Sequence, residues 1–100
     1  MRVRAAVTVL AGEFASQPLA FAHLLDAHPR ADLDQVEVVR RPFGPRLAHW
    51  FAPDAVRALE AVPEATLVLA FPGSGVPPAA TSRLRVVGRP LGTLTRALEV

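Results

Sequence analysis

RRPFGPRLAHWF, Arg40 to Phe51, is the stretch on which the fold of this chain turns. Pro42-Phe43-Gly44-Pro45 is a strong breaker, and RLAHWF, Arg46 to Phe51, can continue from it in two ways. As a returning hairpin strand it sets Leu47, His49 and Phe51 on one face and Arg46, Ala48 and Trp50 on the other. As a short helical turn it runs directly into the next helix. Its aromatic and alternating content favours the strand, so a strand over 46–51 is the expectation.

Upstream, QVEVVRR, Gln35 to Arg41, alternates Val36 and Val38 against Glu37, a strand pattern. Before it, Ser16 can cap a helix with Pro18 in the first turn, where no amide partner is lost. Phe21, Ala22, Leu24 and Leu25 supply its apolar face, and Pro29 stops it after His28. RVRAAVTVL, Arg2 to Leu10, places Val3, Ala5, Val7 and Val9 on one parity and Arg2, Arg4 and Thr8 on the other, a strand with one end of one face in water. Downstream, Pro53 and Asp54 open a second helix, with proline in the first turn and an acid at the positive end of the dipole. Ala55, Val56, Leu59 and Val62 form its buried stripe. TLVLAF, Thr66 to Phe71, is apolar on both parities and reads as a central strand. RLRVVG, Arg83 to Gly88, is a last strand, and the tail RPLGTLTRALEV fits more than one state.

The resulting order of strand, helix, strand, strand, helix, strand predicts a ferredoxin-like split βαβ sandwich of α+β class, with two helices on one face of a four- to five-stranded sheet. If 46–51 is helical instead, the alternative is a small doubly wound α/β sheet. Two helices cover one sheet face only, so the expectation is that a second copy covers the other, giving a homodimer.

Composition bounds the rest. One hundred residues form one domain, 1–100, with 51% apolar and 20% charged residues, enough for a core without staples. No apolar run approaches the ~20 residues of a membrane span, and the N-terminus lacks the pattern of a signal peptide; a cytoplasmic protein with no membrane partner is expected. The absence of cysteine excludes disulfides, thiolate chemistry and cysteine-based zinc sites. The net charge is only +2, and all eleven basic residues are Arg; with no Lys, Tyr or Cys to titrate, an alkaline isoelectric point follows without any basic tail. Charge comes in blocks: acids Asp32, Asp34 and Glu37, then Arg40, Arg41 and Arg46.

No catalytic set, metal site or cofactor motif stands out. Gly73-Ser74-Gly75 after the central strand lacks the lysine and helix of a phosphate loop, and Pro72 and Val76 stand where a nucleophile elbow has glycines; a plain turn is expected. His23, Asp26 and His28 read as a solvated helix face. The densest candidate surface is segment 40–51 itself, with Arg40, Arg41, Phe43, Arg46, His49 and Trp50 as ligand or interface residues, because guanidinium groups bind anions and aromatic faces stack.

Acylphosphatases need a glycine-rich turn ending in an arginine after the first strand, and LAGEFASQP has none; metal-transfer domains need CxxC. RLAHWFAPDAVRAL, about a seventh of the chain, is similar to the strand-to-helix step of dimeric α+β barrel proteins of the monooxygenase type, where a Trp precedes a helix, although the longer first helix usual there is missing. Three functional expectations follow. The first is a non-catalytic, homodimeric association module holding a small anionic ligand near Arg41, Arg46 and Trp50. The second is single-stranded nucleic-acid binding through 40–51. The third, which the resemblance implies, is a dimeric barrel enzyme using His49 in a closed apolar cavity beside Trp50.

Overall fold

The computed structural model describes residues 2–95. Its elements are β1 (Arg2–Ala6), β2 (Thr8–Gly12), α1 (Gln17–Ala27), a 3-10 turn (Leu33–Gln35), β3 (Val36–Arg40), α2 (Gly44–Leu47), α3 (Pro53–Glu60), β4 (Thr66–Ala70), β5 (Arg85–Gly88) and β6 (Leu91–Thr95). The fold is α+β. Four strands form an antiparallel sheet in the order β3-β4-β2-β5, and β1 with β6 forms a two-stranded antiparallel ribbon.

Ser16 caps α1 as its sequence predicts, its hydroxyl accepting from the Leu19 amide, with proline in the first turn. Pro53 and Asp54 likewise begin α3. β4 is buried along its whole length, as a strand apolar on both parities must be.

The expected single strand from Arg2 to Leu10 is two. Its partner is nevertheless continuous: the register runs from Arg2↔Thr95 to Ala6↔Leu91, through the Val7 amide donating to the Pro90 carbonyl at 2.9 Å, to Val9↔Gly88. One long ribbon therefore bends at Val7. β2 also pairs with β4, whereas β1 and β6 pair only with each other. A register shift between Val9 and Leu10 adds local twist beside that bend.

The segment 46–51 is the end of a short helix and the turn after it, not a strand. Leu47 and Ala48 donate to the Phe43 and Gly44 carbonyls at 3.0 Å each, and Phe51 to Leu47 at 2.9 Å. Pro45 fits the first turn of α2. Phe43, Leu47 and Phe51 recur every fourth residue and are all buried, the spacing of a helix face. Read at period two, the same face would include Pro45 and His49, both exposed.

That change removes the bare sheet face. Odd-numbered residues Val9, Ala11, Val39, Leu67 and Leu69 form one core with Phe43, Leu47, Phe51, Leu59 and Val62 from the α2–α3 side. Even-numbered Leu10, Val36, Val38, Val68 and Ala70 form a second core with Phe14, Ala20 and Leu24 from the α1 side, completed by Val76 and Leu84 from the loop between β4 and β5. The chain's own elements cover both faces, so the premise for a dimer over an uncovered face fails.

The expected ferredoxin-like arrangement is met only in part. β2 and β3 lie on either side of β4 and are both antiparallel to it, so β2, α1 and β3 make one split βαβ unit. β4 and β5 flank β2 in the same way, but the crossover joining them carries no helix. The second helix of a ferredoxin-like sandwich thus has no counterpart there, and the described residues hold six strands rather than four to five. A doubly wound sheet is excluded because every pairing is antiparallel. No helix among the described residues is long and apolar enough to cross a membrane.

Candidate functional site

Arg46, His49, Trp50 and Thr93 line one open cleft of ≈440 Å³. α2 presents Arg46, the turn after it presents His49 and Trp50, and β6 supplies Thr93. Two contacts hold the ribbon against this corner. The Thr93 amide donates to the Trp50 carbonyl at 2.7 Å, and Gly92 lets the backbones approach: a Cβ there would stand 3.1 Å from Val7 Cγ2 and 3.3 Å from Phe51 Cε1.

Trp50 is half-buried. Its indole packs at 5.4 Å from the Phe71 ring and 5.8 Å from the His49 ring, and the Arg46 guanidinium lies 5.7 Å from the indole centroid, within range of a cation–π attraction. Arg46 also donates through Nη2 to Glu37 Oε2 at 2.6 Å. A guanidinium carries five N–H donors, so this one pair leaves donors for a further anion.

Of the six residues singled out in the sequence, the fold gathers Arg46, His49 and Trp50 at this cleft. The other three go elsewhere. Phe43 is 1% exposed, in the core under α2, and offers a ligand no side-chain surface. Arg41 lies over the Phe43 ring at 4.4 Å and donates to the carbonyls of Glu60, the last residue of α3, and of Val62 and Glu64 in the segment that follows. Arg40 is exposed at the end of β3. Thr93 lies in a tail whose sequence fits more than one state, although Thr93 and Thr95 alternate with Gly92 and Leu94 as in a strand.

A second open cleft, of ≈500 Å³, is lined by Glu13, Glu64, Thr81, Arg83 and Arg85 among others. Here the charges are taken up internally. Arg85 binds Glu64 through two nitrogens, Nε to Oε2 and Nη2 to Oε1, the second at 3.0 Å. These hydrogen bonds hold the Glu64 carboxyl below its ordinary range, and they raise Arg85 in turn. Arg83 donates to the Glu13 carbonyl at 2.7 Å and lies 4.2 Å from the Phe14 ring centroid. The Glu13 carboxylate accepts the Ala65 amide at 3.1 Å.

Beside that cleft, His23 Nε2 stands 2.6 Å from Thr81 Oγ1. Thr81 Oγ1 also accepts the Arg83 and Leu84 amides at 3.3 and 3.1 Å, so the hydroxyl ties His23 to the start of the segment that leads into β5. Burial lowers the pKa of His23 from 6.5, Arg83 and His28 lower it further, and Asp26 opposes them. The arrangement fastens the β4–β5 loop to α1. Elsewhere in that loop Gly73 and Gly75 adopt positive φ, +91° and +76°. Ser74 between them is buried, its carbonyl accepting from Asp32 and its hydroxyl from the Val76 amide. The loop is a built turn.

Among the described residues no group of three His, Asp or Glu is placed to hold a metal ion. Beside Trp50 lies an open cleft with charged walls, not the closed apolar cavity that the barrel-enzyme expectation requires. Compared with known proteins, the chain matches no family model, no curated protein and no solved structure.

Proposed function

We propose that this chain is a small non-catalytic binding module that takes a small anion bearing a flat ring in the cleft of Arg46, His49, Trp50 and Thr93. One observation carries the reading: the fold brings a guanidinium with spare donors, a half-exposed indole, an imidazole and a hydroxyl to the walls of a single cleft. The guanidinium takes the anionic group, the indole takes the ring, and Thr93 supplies a hydroxyl for orientation. Among the described residues the cleft hydrogen-bonds no nucleophile to a base, which favours binding over bond-making. The reading requires no second copy of the chain.

Trp50 is the only tryptophan, so its fluorescence reports this cleft directly. Titration with inorganic phosphate, a nucleoside monophosphate and an aromatic carboxylate is expected to give saturable quenching by the ring-bearing anions. Arg46→Ala weakens it by about tenfold, the equivalent of ~1.4 kcal/mol, and Arg85→Ala in the other cleft leaves it unchanged. Absence of quenching by every compound at millimolar concentration rules the proposal out.

A further inference from the structure

The β1–β6 ribbon extends the surface of this cleft. Thr93, one of its walls, lies directly across from Arg4. Because the Thr93 amide is turned outward to the Trp50 carbonyl, Arg4 and Thr93 form the non-hydrogen-bonded kind of cross-strand pair, whose side chains stand closest on a shared face. Arg2 follows two residues along β1, about 7 Å farther on the same face. The other face of the ribbon is occupied, with Gly92 against Val7 and Phe51 and Leu94 packed on the core. Arg2 and Arg4 are exposed, and neither forms an ion pair among the described residues. The two arms of the ribbon, 2–12 and 85–95, contain no acid, and of their four Arg, Arg85 is the one paired, with Glu64 of the other cleft.

We infer that this continuous surface binds single-stranded nucleic acid, with one base against Trp50 beside Arg46 and the adjoining phosphates running along Arg4 and Arg2. The inference rests on the reading of the cleft as an anion site and names its ligand class. A stacking aromatic at one end of a row of guanidinium groups is the arrangement that holds a single strand. A small anion has no use for the row. A duplex keeps its bases stacked inside, where their faces cannot reach an indole at a cleft wall.

The test compares thymidine monophosphate with oligothymidylates of increasing length, read by Trp50 fluorescence over a range of salt. Affinity is expected to rise at least about tenfold with length and to fall with salt at a log–log slope of about −0.7 for each phosphate neutralised. The Arg2→Gln/Arg4→Gln double variant should bind the mononucleotide like the wild type, lose the gain with length, and show a slope shallower by about 1.4. Both side chains are exposed, and an unchanged melting temperature establishes that the variant is folded; the salt slope of the wild type is a separate readout that needs no variant. Mononucleotide binding with no gain from length, or a gain that survives in the double variant, overturns the ribbon inference and leaves the cleft reading standing. Absence of any quenching overturns both. Equal binding of duplex DNA, polyglutamate or phosphatidylserine vesicles also overturns it.

Discussion

Among the described residues two clefts are flanked by arginines, and they differ in what lies beside the guanidinium groups. Around Glu13, Glu64, Arg83 and Arg85, each charged group is bonded to its own protein: Arg85 to Glu64, Arg83 to the Glu13 carbonyl, and Glu13 to the Ala65 amide. Around Trp50, Arg46 gives one donor to Glu37, and the indole is left half-exposed in an open wall. Arg85 meets a carboxylate through two donors, whereas Arg46 meets Glu37 through one and lies beside an indole half open to solvent, which suits it to recognition. Arg density along the sequence does not separate these cases. The geometry of the partners does.

The contrast can be broken or sharpened by substitution. The largest effect is expected from Phe43→Ala, which removes a ring 1% exposed beneath the corner that carries the binding cleft. Denaturant unfolding should show a loss of about 3–5 kcal/mol, and a loss below 1 kcal/mol means that the corner does not depend on this ring. Arg41→Ala comes next. It removes Nη1, which donates to the Glu60 carbonyl, and Nη2, which donates to those of Val62 and Glu64, and is expected to cost about 1 kcal/mol, with quenching by ring-bearing anions unaffected; impaired binding would return Arg41 to the site.

A smaller effect tests the paired cleft. The Glu64 carboxyl titrates below its ordinary value of 4.5 in the folded chain because Arg85 donates to it. Its stabilisation is therefore present in full above that value and lost as pH falls through the folded pKa. Glu64→Gln should lower stability at neutral pH, and the gap from wild type should close as pH falls below about 4.5. A gap that stays constant with pH shows that the ion pair is not the source.

The smallest effect concerns His23. Burial and Arg83 lower its pKa below 6.5, against the opposing pull of Asp26, so the unfolded chain binds its proton more readily. Stability is then free of this penalty above pH 6.5 and declines as pH drops through the folded pKa. Thermal unfolding of His23→Gln should show a flatter profile across that window, and a profile identical to wild type removes the neutral His23–Thr81 contact from the account.

Much of the architecture was legible one element at a time. Ser16 with Pro18 marked the start of α1, Pro53 with Asp54 that of α3, and the double-sided apolar run of β4 its central place. The misreading lay at 46–51. Leu47 and Phe51 satisfy period two and period four equally over so short a span, and only Phe43, four residues before Leu47, tips the pattern toward a helix. Once α2 is helical, the chain has cover for the second sheet face, and the expectation of a dimer loses its footing. Half of the proposed surface, Arg46, His49 and Trp50, was visible as one dense segment; Thr93 and the ribbon arginines were not, because nothing local joins the N-terminal strand to residues about ninety positions away.

The sequence by itself marked the starts of α1 and α3 and the central place of β4, since caps, prolines and apolar periods act within a few residues. Tertiary structure alone decided the strand order, the cover on both sheet faces and the fate of each arginine. Arg41 meets Val62 and Arg85 meets Glu64 across 21 residues, and Glu13 meets Ala65 across 52. Such partners are brought together by burial of apolar surface throughout the molecule, a force without direction that no short stretch of chain records.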